Sequence, residues 1–182
     1  MRNIADLLDE IIPPSDYQHR NGFSNERIVD SLTEAEKTEV EKELIKRVEK
    51  IDDCLIGETL ANMKSSDSLP ALRFRLNSST NSNSKILWAN SIYRISRAET
   101  EMKDIAFNEF LKISGKYELI GIFHTLTQFD DPRITDRIKD FQNDKDYLIA
   151  YNARTVLGQD TKELIERERS KNKKNHPWWK FW

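Results

Sequence analysis

Three histidines and one cysteine, His19, His124, His176 and Cys54, are the residues that could carry nucleophilic or metal chemistry. Thiol–imidazole catalysis would need folding to bring Cys54 to a histidine, because none neighbours it in the chain. No HExxH pair, phosphate-cradling Gly-rich loop or GxGxxG turn occurs. A lone cysteine excludes an internal disulfide and any CxxC metal site. His124 falls at an apolar position, where an imidazole is most often packed. Cys54 opens an apolar helix, where a thiol acts as a small hydrophobe. Carboxylates crowd the stretch from Glu34 to Asp52, but they alternate with Lys37, Lys42, Lys46, Arg47 and Lys50. That spacing describes an ion-paired, solvated helix face rather than a metal cage. The expectation is a chain with no catalytic residue, no metal and no cofactor.

A different chemistry is concentrated at the C-terminal end. From Arg167 to Lys180 there are six Lys/Arg and one Glu, a net charge of +5 that leaves −7 for the rest of the chain. Trp178, Trp179 and Trp182 are three of the four tryptophans, and Phe181 stands among them. Basic residues followed by aromatics suit an anionic membrane surface, since Trp prefers the headgroup level and Lys the negative charge. The same residues could dock into another protein, or fold back to cap the end of a helical array.

The elements that must position such residues follow from composition and pattern. The chain has 182 residues, 37% hydrophobic and 33% charged, with a net charge of −2. This is polar but able to build a core, and it argues against a generally basic nucleic-acid binder. Five Gly and five Pro argue against a turn-rich β protein. No apolar run reaches the length of a membrane span. Met1 to Ile12 carries Asp6, Asp9 and Glu10 where an export signal needs an apolar stretch, so a cytoplasmic protein is expected.

Ile4, Leu7, Leu8, Ile11 and Ile12 have helical spacing, ended by Pro13-Pro14. Ser15 to Asn25 has no apolar period and reads as irregular. Thr33 with Glu36 is a capping box before a charged helix carrying Val40, Leu44, Ile45 and Val48. Helices then follow in pairs. Leu55–Met63 completes the first pair. Leu69–Leu76 and Lys85–Ile95 form the second, separated by a polar linker from Asn77 to Ser84. Met102–Ile113 and Tyr117–Phe129 form the third; Arg133–Phe141 and Tyr147–Leu157 form the fourth. Asp131-Pro132 reads as an N-cap followed by proline in the first turn. A last helix runs from Thr161 to about Lys171, with only Leu164 and Ile165 apolar.

The second helices can be laid on one another. Leu55-Ile56-Gly57, Leu87-Trp88-Ala89, Leu119-Ile120-Gly121 and Leu148-Ile149-Ala150 place a small residue at 57, 89, 121 and 150, spacings of 32, 32 and 29. Three positions on come Leu60, Ile92, His124 and Ala153. Two helices per period of about 30 residues is the pattern of an α-solenoid.

On DDCLIGETLANMKSSDSLPALRFRL and KYELIGIFHTLTQFDDPRITDRI, the chain resembles HEAT-like repeat proteins of short period over about residues 40–160. The turn Asp131-Pro132-Arg133 resembles that family's Asp-Pro turn. The resemblance implies an all-α fold, an α-solenoid of about four HEAT-like helical pairs, with partners bound on the concave face lined by the second helices. It divides the chain into an N-terminal extension (1–30), the repeat array (31–160) and a C-terminal helix with a basic, aromatic tail (161–182). Some HEAT-like enzymes bind iron through His-Glu pairs, and no His-Glu dipeptide is present; the basic concave surface of HEAT-like DNA glycosylases has no strong counterpart either.

With the small residue as position zero, the apolar seam takes positions −1, +3 and +6, and the opposite face takes +1, +4 and +5. From that face Glu58, Asn62, Asn90, Tyr93, Arg94, Tyr151 and Arg154 are the expected partner-binding residues, Tyr and Arg being enriched at interface hot spots. The expected function is a non-enzymatic protein-binding module, an adaptor or inhibitor, for which toxin-neutralising immunity proteins are an architectural analogy. The alternatives are a peripheral membrane protein acting through Trp178, Trp179, Phe181 and Trp182, and a HEAT-like enzyme using His124 and Cys54.

Overall fold

Capping chemistry fixes where the helices begin. In the computed structural model, which describes residues 2–175 (side-chain environments through residue 171), helix α1 spans Ile4–Ile11, with the Asn3 side chain accepting from the Ala5 amide. Two short helices, α2 (Tyr17–Arg20) and α3 (Glu26–Asp30), follow within and just after the stretch expected to be irregular. The Asp16 carboxylate caps α2 through the His19 amide, an interaction that needs no apolar period and so escapes a hydrophobic pattern. Helix α4 (Glu34–Val48) opens on the complete Thr33/Glu36 capping box. Asp53 caps α5 (Cys54–Asn62), and Pro70 sits in the first turn of α6 (Leu69–Ser78).

Asn81 caps α7 (Ser82–Ile95) through the Ser84 amide. Only residues 79–81 therefore separate α6 from α7, and the polar run read as a linker is mostly helix. Its Ser and Asn residues sit at helix ends, where such side chains serve as caps rather than breakers. Helices α8 (Glu101–Phe110) and α9 (Lys116–Thr127) come next. Asp131 caps α10 (Pro132–Lys139), and Asp146 caps α11 (Tyr147–Val156). The last helix, α12 (Lys162–Asn175), extends four residues past its expected end. Among the described residues the fold is all-helical, with no strand.

The chain divides into two compact units between Lys112 and Ile113, inside the third expected helical pair. In the first unit α7 is the central helix, with α5, α6 and α8 packed around it. Ile86, Trp88, Ala89, Asn90, Ser91, Ile92 and Tyr93 are all buried, the pattern of a core helix rather than a half-solvated one. Helix α4 covers α5 and α6 with the stripe Val40, Leu44 and Val48. Its outer face carries the ion pairs Lys37–Glu34, Lys42–Glu39 and Lys46–Glu43 at 3.1, 2.9 and 2.6 Å.

The N-terminal segment belongs to this unit. α1 packs on α4 and α3 on α5, burying Leu7, Leu8, Ile11 and Val29. Arg2 donates to both oxygens of buried Glu36. Arg20 grips both oxygens of Asp53 at 2.7 and 2.6 Å and also donates to the Pro13 carbonyl. Buried Asn25 donates to the Ile11 carbonyl and to Thr59 Oγ1, locking α1 and α3 onto α5.

In the second unit α9 packs on α10 and α11, and α11 on α12. The core is Leu119, Ile122, Phe123, Leu126, Phe129, Ile134, Ile138, Ile149, Ala150, Ala153 and Leu164. Phe123 meets Phe141 with ring centroids 5.6 Å apart. The expected apolar seam is buried at its −1 and +3 positions in α5, α7 and α11 (Ile56 and Leu60, Trp88 and Ile92, Ile149 and Ala153) and only half-buried at +6 (Met63, Ile95 and Val156). It fails in α9: Gly121 and His124 are exposed. The apolar residues at 119, 122, 123 and 126 set the inward face, and the Leu-Ile-Gly match lies off it.

Candidate functional site

The seven residues expected on a binding face fall in different surroundings. Glu58 on α5 is exposed, and Asn62 one turn on is half-buried. Arg94 on α7 donates to Asn62 Oδ1. Each stands five places after a small residue of its own helix, Gly57 or Ala89.

Asn90 and Tyr93 are not surface residues: each is 5% exposed. Helix α7 has neighbours on several sides, and a two-face frame does not describe it. The guanidinium of Arg97 lies 4.5 Å from the Tyr93 ring centroid and the ammonium of Lys103 lies 5.2 Å away. Hydrogen bonding from Arg97, assisted by Lys103, outweighs desolvation and lowers the Tyr93 phenol from its ordinary value.

Tyr151 and Arg154 belong to the second unit. Tyr151 is half-buried, its ring 5.7 Å from Tyr147. Arg154 is a structural clamp: Nε donates to the Gln142 carbonyl at 2.9 Å and Nη2 to Asn143 Oδ1 at 2.8 Å. It ties α11 to the loop before it. Trp178, Trp179, Phe181, Trp182 and His176 lie outside the described residues.

The ends of α5 and α7 and the side of α3 form an open polar pocket of about 290 Å³, lined by Glu26, Asp30, Ala61, Asn62, Lys64, Arg94 and Arg97. Lys64, Arg97, Glu26 and Asp30 were missed from sequence. Glu26 and Asp30 sit on a short helix that the apolar period does not reveal, and Arg97 follows the end of α7. Lys64 carried one signal: the stop after α5 has no glycine, although helices commonly end on one. The pocket's charges are mixed, three cations with two carboxylates, and one buried donor, Asn62 Nδ2, has no acceptor. Such a lining can recognise ions and polar groups.

The other chemistry-bearing residues are placed as follows. Burial, with Asp52 and Asp53 nearby, pushes the Cys54 thiol up to about 12, so it stays protonated at neutral pH. His124 is exposed on α9. Among the described residues no three His, Cys, Asp or Glu side chains gather as a metal ion would require. No helix among them is long and apolar enough to cross a membrane. No protein-family model matches the chain, and neither the curated proteins nor the solved structures contain a significant match to it.

Proposed function

We propose that this chain is a non-enzymatic protein-binding module, an adaptor or inhibitor of a partner protein in the cytoplasm. It is built on about four HEAT-like helical pairs whose second helices carry the binding residues. The Arg94–Asn62 bond carries this reading: it joins the same repeat position on consecutive second helices, 32 residues apart, at the edge of a charged pocket. A face made from one position of successive helices is how repeat arrays build extended binding surfaces. Packing within each unit supports it: α5 lies on α7 and α4 on α6 in the first, α9 on α11 in the second. The openness of the lining to ionic groups favours a protein partner over a substrate, which is usually enclosed among apolar walls.

Surface residues must carry the test, because Tyr93 is buried and Arg154 holds a loop. The full chain and Glu58→Arg/Arg94→Glu are used as bait, and the captured protein is purified and titrated against both. Wild type is expected to hold one stoichiometric protein that the double variant loses at unchanged helical circular dichroism. No saturable binding by wild type, or equal binding by the variant, overturns the reading.

A further inference from the structure

We propose that the pocket between α3, α5 and α7 is the subsite for one acidic side chain of the partner protein, an Asp or Glu carboxylate with a Lys or Arg beside it on the partner's surface. This rests on the protein-binding reading and names the chemistry of the partner at that site.

The first observation is backbone strain at Lys64. Helix α5 ends in a Schellman turn: the Lys64 amide donates to the Ala61 carbonyl at 3.1 Å and the Ser65 amide to the Leu60 carbonyl at 3.0 Å, with Lys64 at φ +56°. Helix α11 ends the same way. Gly158, at φ +68°, donates to Thr155 at 3.1 Å, and Gln159 donates to Arg154 at 2.9 Å. Glycine takes this left-handed position without penalty, whereas a side chain bearing a Cβ does not. The chain thus uses glycine at one of two matching turns and lysine at the other, and that lysine lines the pocket. Among the described residues only Lys64 and Asp130 are non-glycine residues at positive φ, and of the two only Lys64 lines this pocket; strain of this kind collects at binding sites.

The second observation is Asn62. Arg94 occupies its oxygen, while its Nδ2 is buried without an acceptor. A buried donor left unpaired is costly, and an incoming acceptor would remove that cost. One oxygen of a carboxylate can take Asn62 Nδ2 and the other the Arg94 guanidinium, with Lys64 and Arg97 adding charge-assisted bonds.

The third observation is the sign pattern. A simple anion such as phosphate would meet Lys64, Arg94 and Arg97 but also be repelled by Glu26 and Asp30 on α3. A carboxylate with a cationic neighbour satisfies both sets, and complementary charge of this kind gives specificity.

The test uses the full chain, isotope-labelled for NMR, titrated with the capped dipeptide Ac-Glu-Lys-NH2. Ac-Gln-Lys-NH2 and inorganic phosphate are the comparison probes. The glutamate dipeptide is expected to shift the Asn62 side-chain amide saturably, with a dissociation constant of about 1–10 mM, the strength of an isolated contact. The glutamine dipeptide is expected to bind about tenfold more weakly, having lost the charged acceptor. Lys64→Gly and Arg94→Gln are each expected to weaken the glutamate dipeptide about tenfold; Lys64→Gly removes the strained side chain and so keeps the fold.

Absence of a saturable shift, equal binding of the two dipeptides, preference for phosphate, or indifference to both substitutions overturns the subsite. The wider reading fails separately: if the dipeptide binds as expected while the bait experiment finds no protein partner, the pocket stands and the adaptor role falls. If a partner binds through Glu58 but ignores Lys64→Gly and Arg94→Gln, the adaptor role stands and the subsite falls.

Discussion

Gly57 on α5 lies against the Cε3–Cζ3 bond of the Trp88 indole on α7: a Cβ at Gly57 would sit 2.5 Å from Cζ3 and 2.8 Å from Cε3 of that ring. Trp88 is fully buried. Gly57→Ala gains helix propensity of about 1 kcal/mol but must displace a packed ring, so a net loss of about 1–2 kcal/mol is expected. Gly121, matched to Gly57 by sequence, would place its Cβ within 4 Å of nothing outside its own helix. Gly121→Ala is therefore expected to stabilise by up to about 1 kcal/mol. Urea unfolding of both variants checks the pair, and equal effects at the two sites would contradict the α9 register described above.

The two Schellman turns predict opposite responses. Lys64→Gly relieves a left-handed residue and is expected to stabilise by about 0.5–1 kcal/mol after the added entropy of the unfolded chain is subtracted. Gly158→Ala forces a Cβ into the same conformation and is expected to cost about 1 kcal/mol. Denaturation midpoints report both. A stabilised Lys64→Gly that binds its partner less well separates a functional lysine from a structural one.

Acid sensitivity follows from Glu36. Arg2 above all, then Thr33, hold its carboxyl well below the usual carboxylate range. A depressed folded-state value contributes stability that is present above the unfolded value, near 4.5, and is lost as the pH falls below it. Glu36→Gln is expected to be less stable than wild type at pH 7 and to lose less than wild type does between pH 5 and pH 3. Urea midpoints across that range decide it; parallel pH profiles would show that the Arg2–Glu36 contact contributes nothing.

Cys54 is expected to be sluggish. With its thiol pushed up to about 12, alkylation by iodoacetamide at pH 7.5 should run at least about a hundredfold slower than for an unperturbed thiol, and recover in denaturant. Native-state labelling at the free-thiol rate would instead point to an activated cysteine and reopen the thiol–imidazole reading.

The helix starts were legible from the chain because caps are local chemistry. Thr33 reaches Glu36 and Asp131 reaches Arg133 across two or three residues, so residue identity and spacing already contain the hydrogen bond. The same locality misled at Asn77 to Ser84, where polar residues that terminate helices were read as a connection between them.

What the sequence by itself determined, then, is the all-helical character of the described residues, the order of their main helices and the burial of Ile56 and Leu60 in α5 and of Ile149 and Ala153 in α11. Those depend on caps and on the 3.6-residue period, which act within a turn or two of the residue concerned. Only the tertiary structure decided the rest. Arg2 meets Glu36 across 34 residues, Arg20 meets Asp53 across 33, and Arg94 meets Asn62 across 32. Tyr93 became a core residue because α5, α6 and α8 surround α7, and Arg154 became a clamp because a loop passes its guanidinium. The charged pocket is assembled from three helices, and no window of sequence contains the distances between Glu26, Lys64 and Arg94; those are set by which helices pack together, a property of the whole unit.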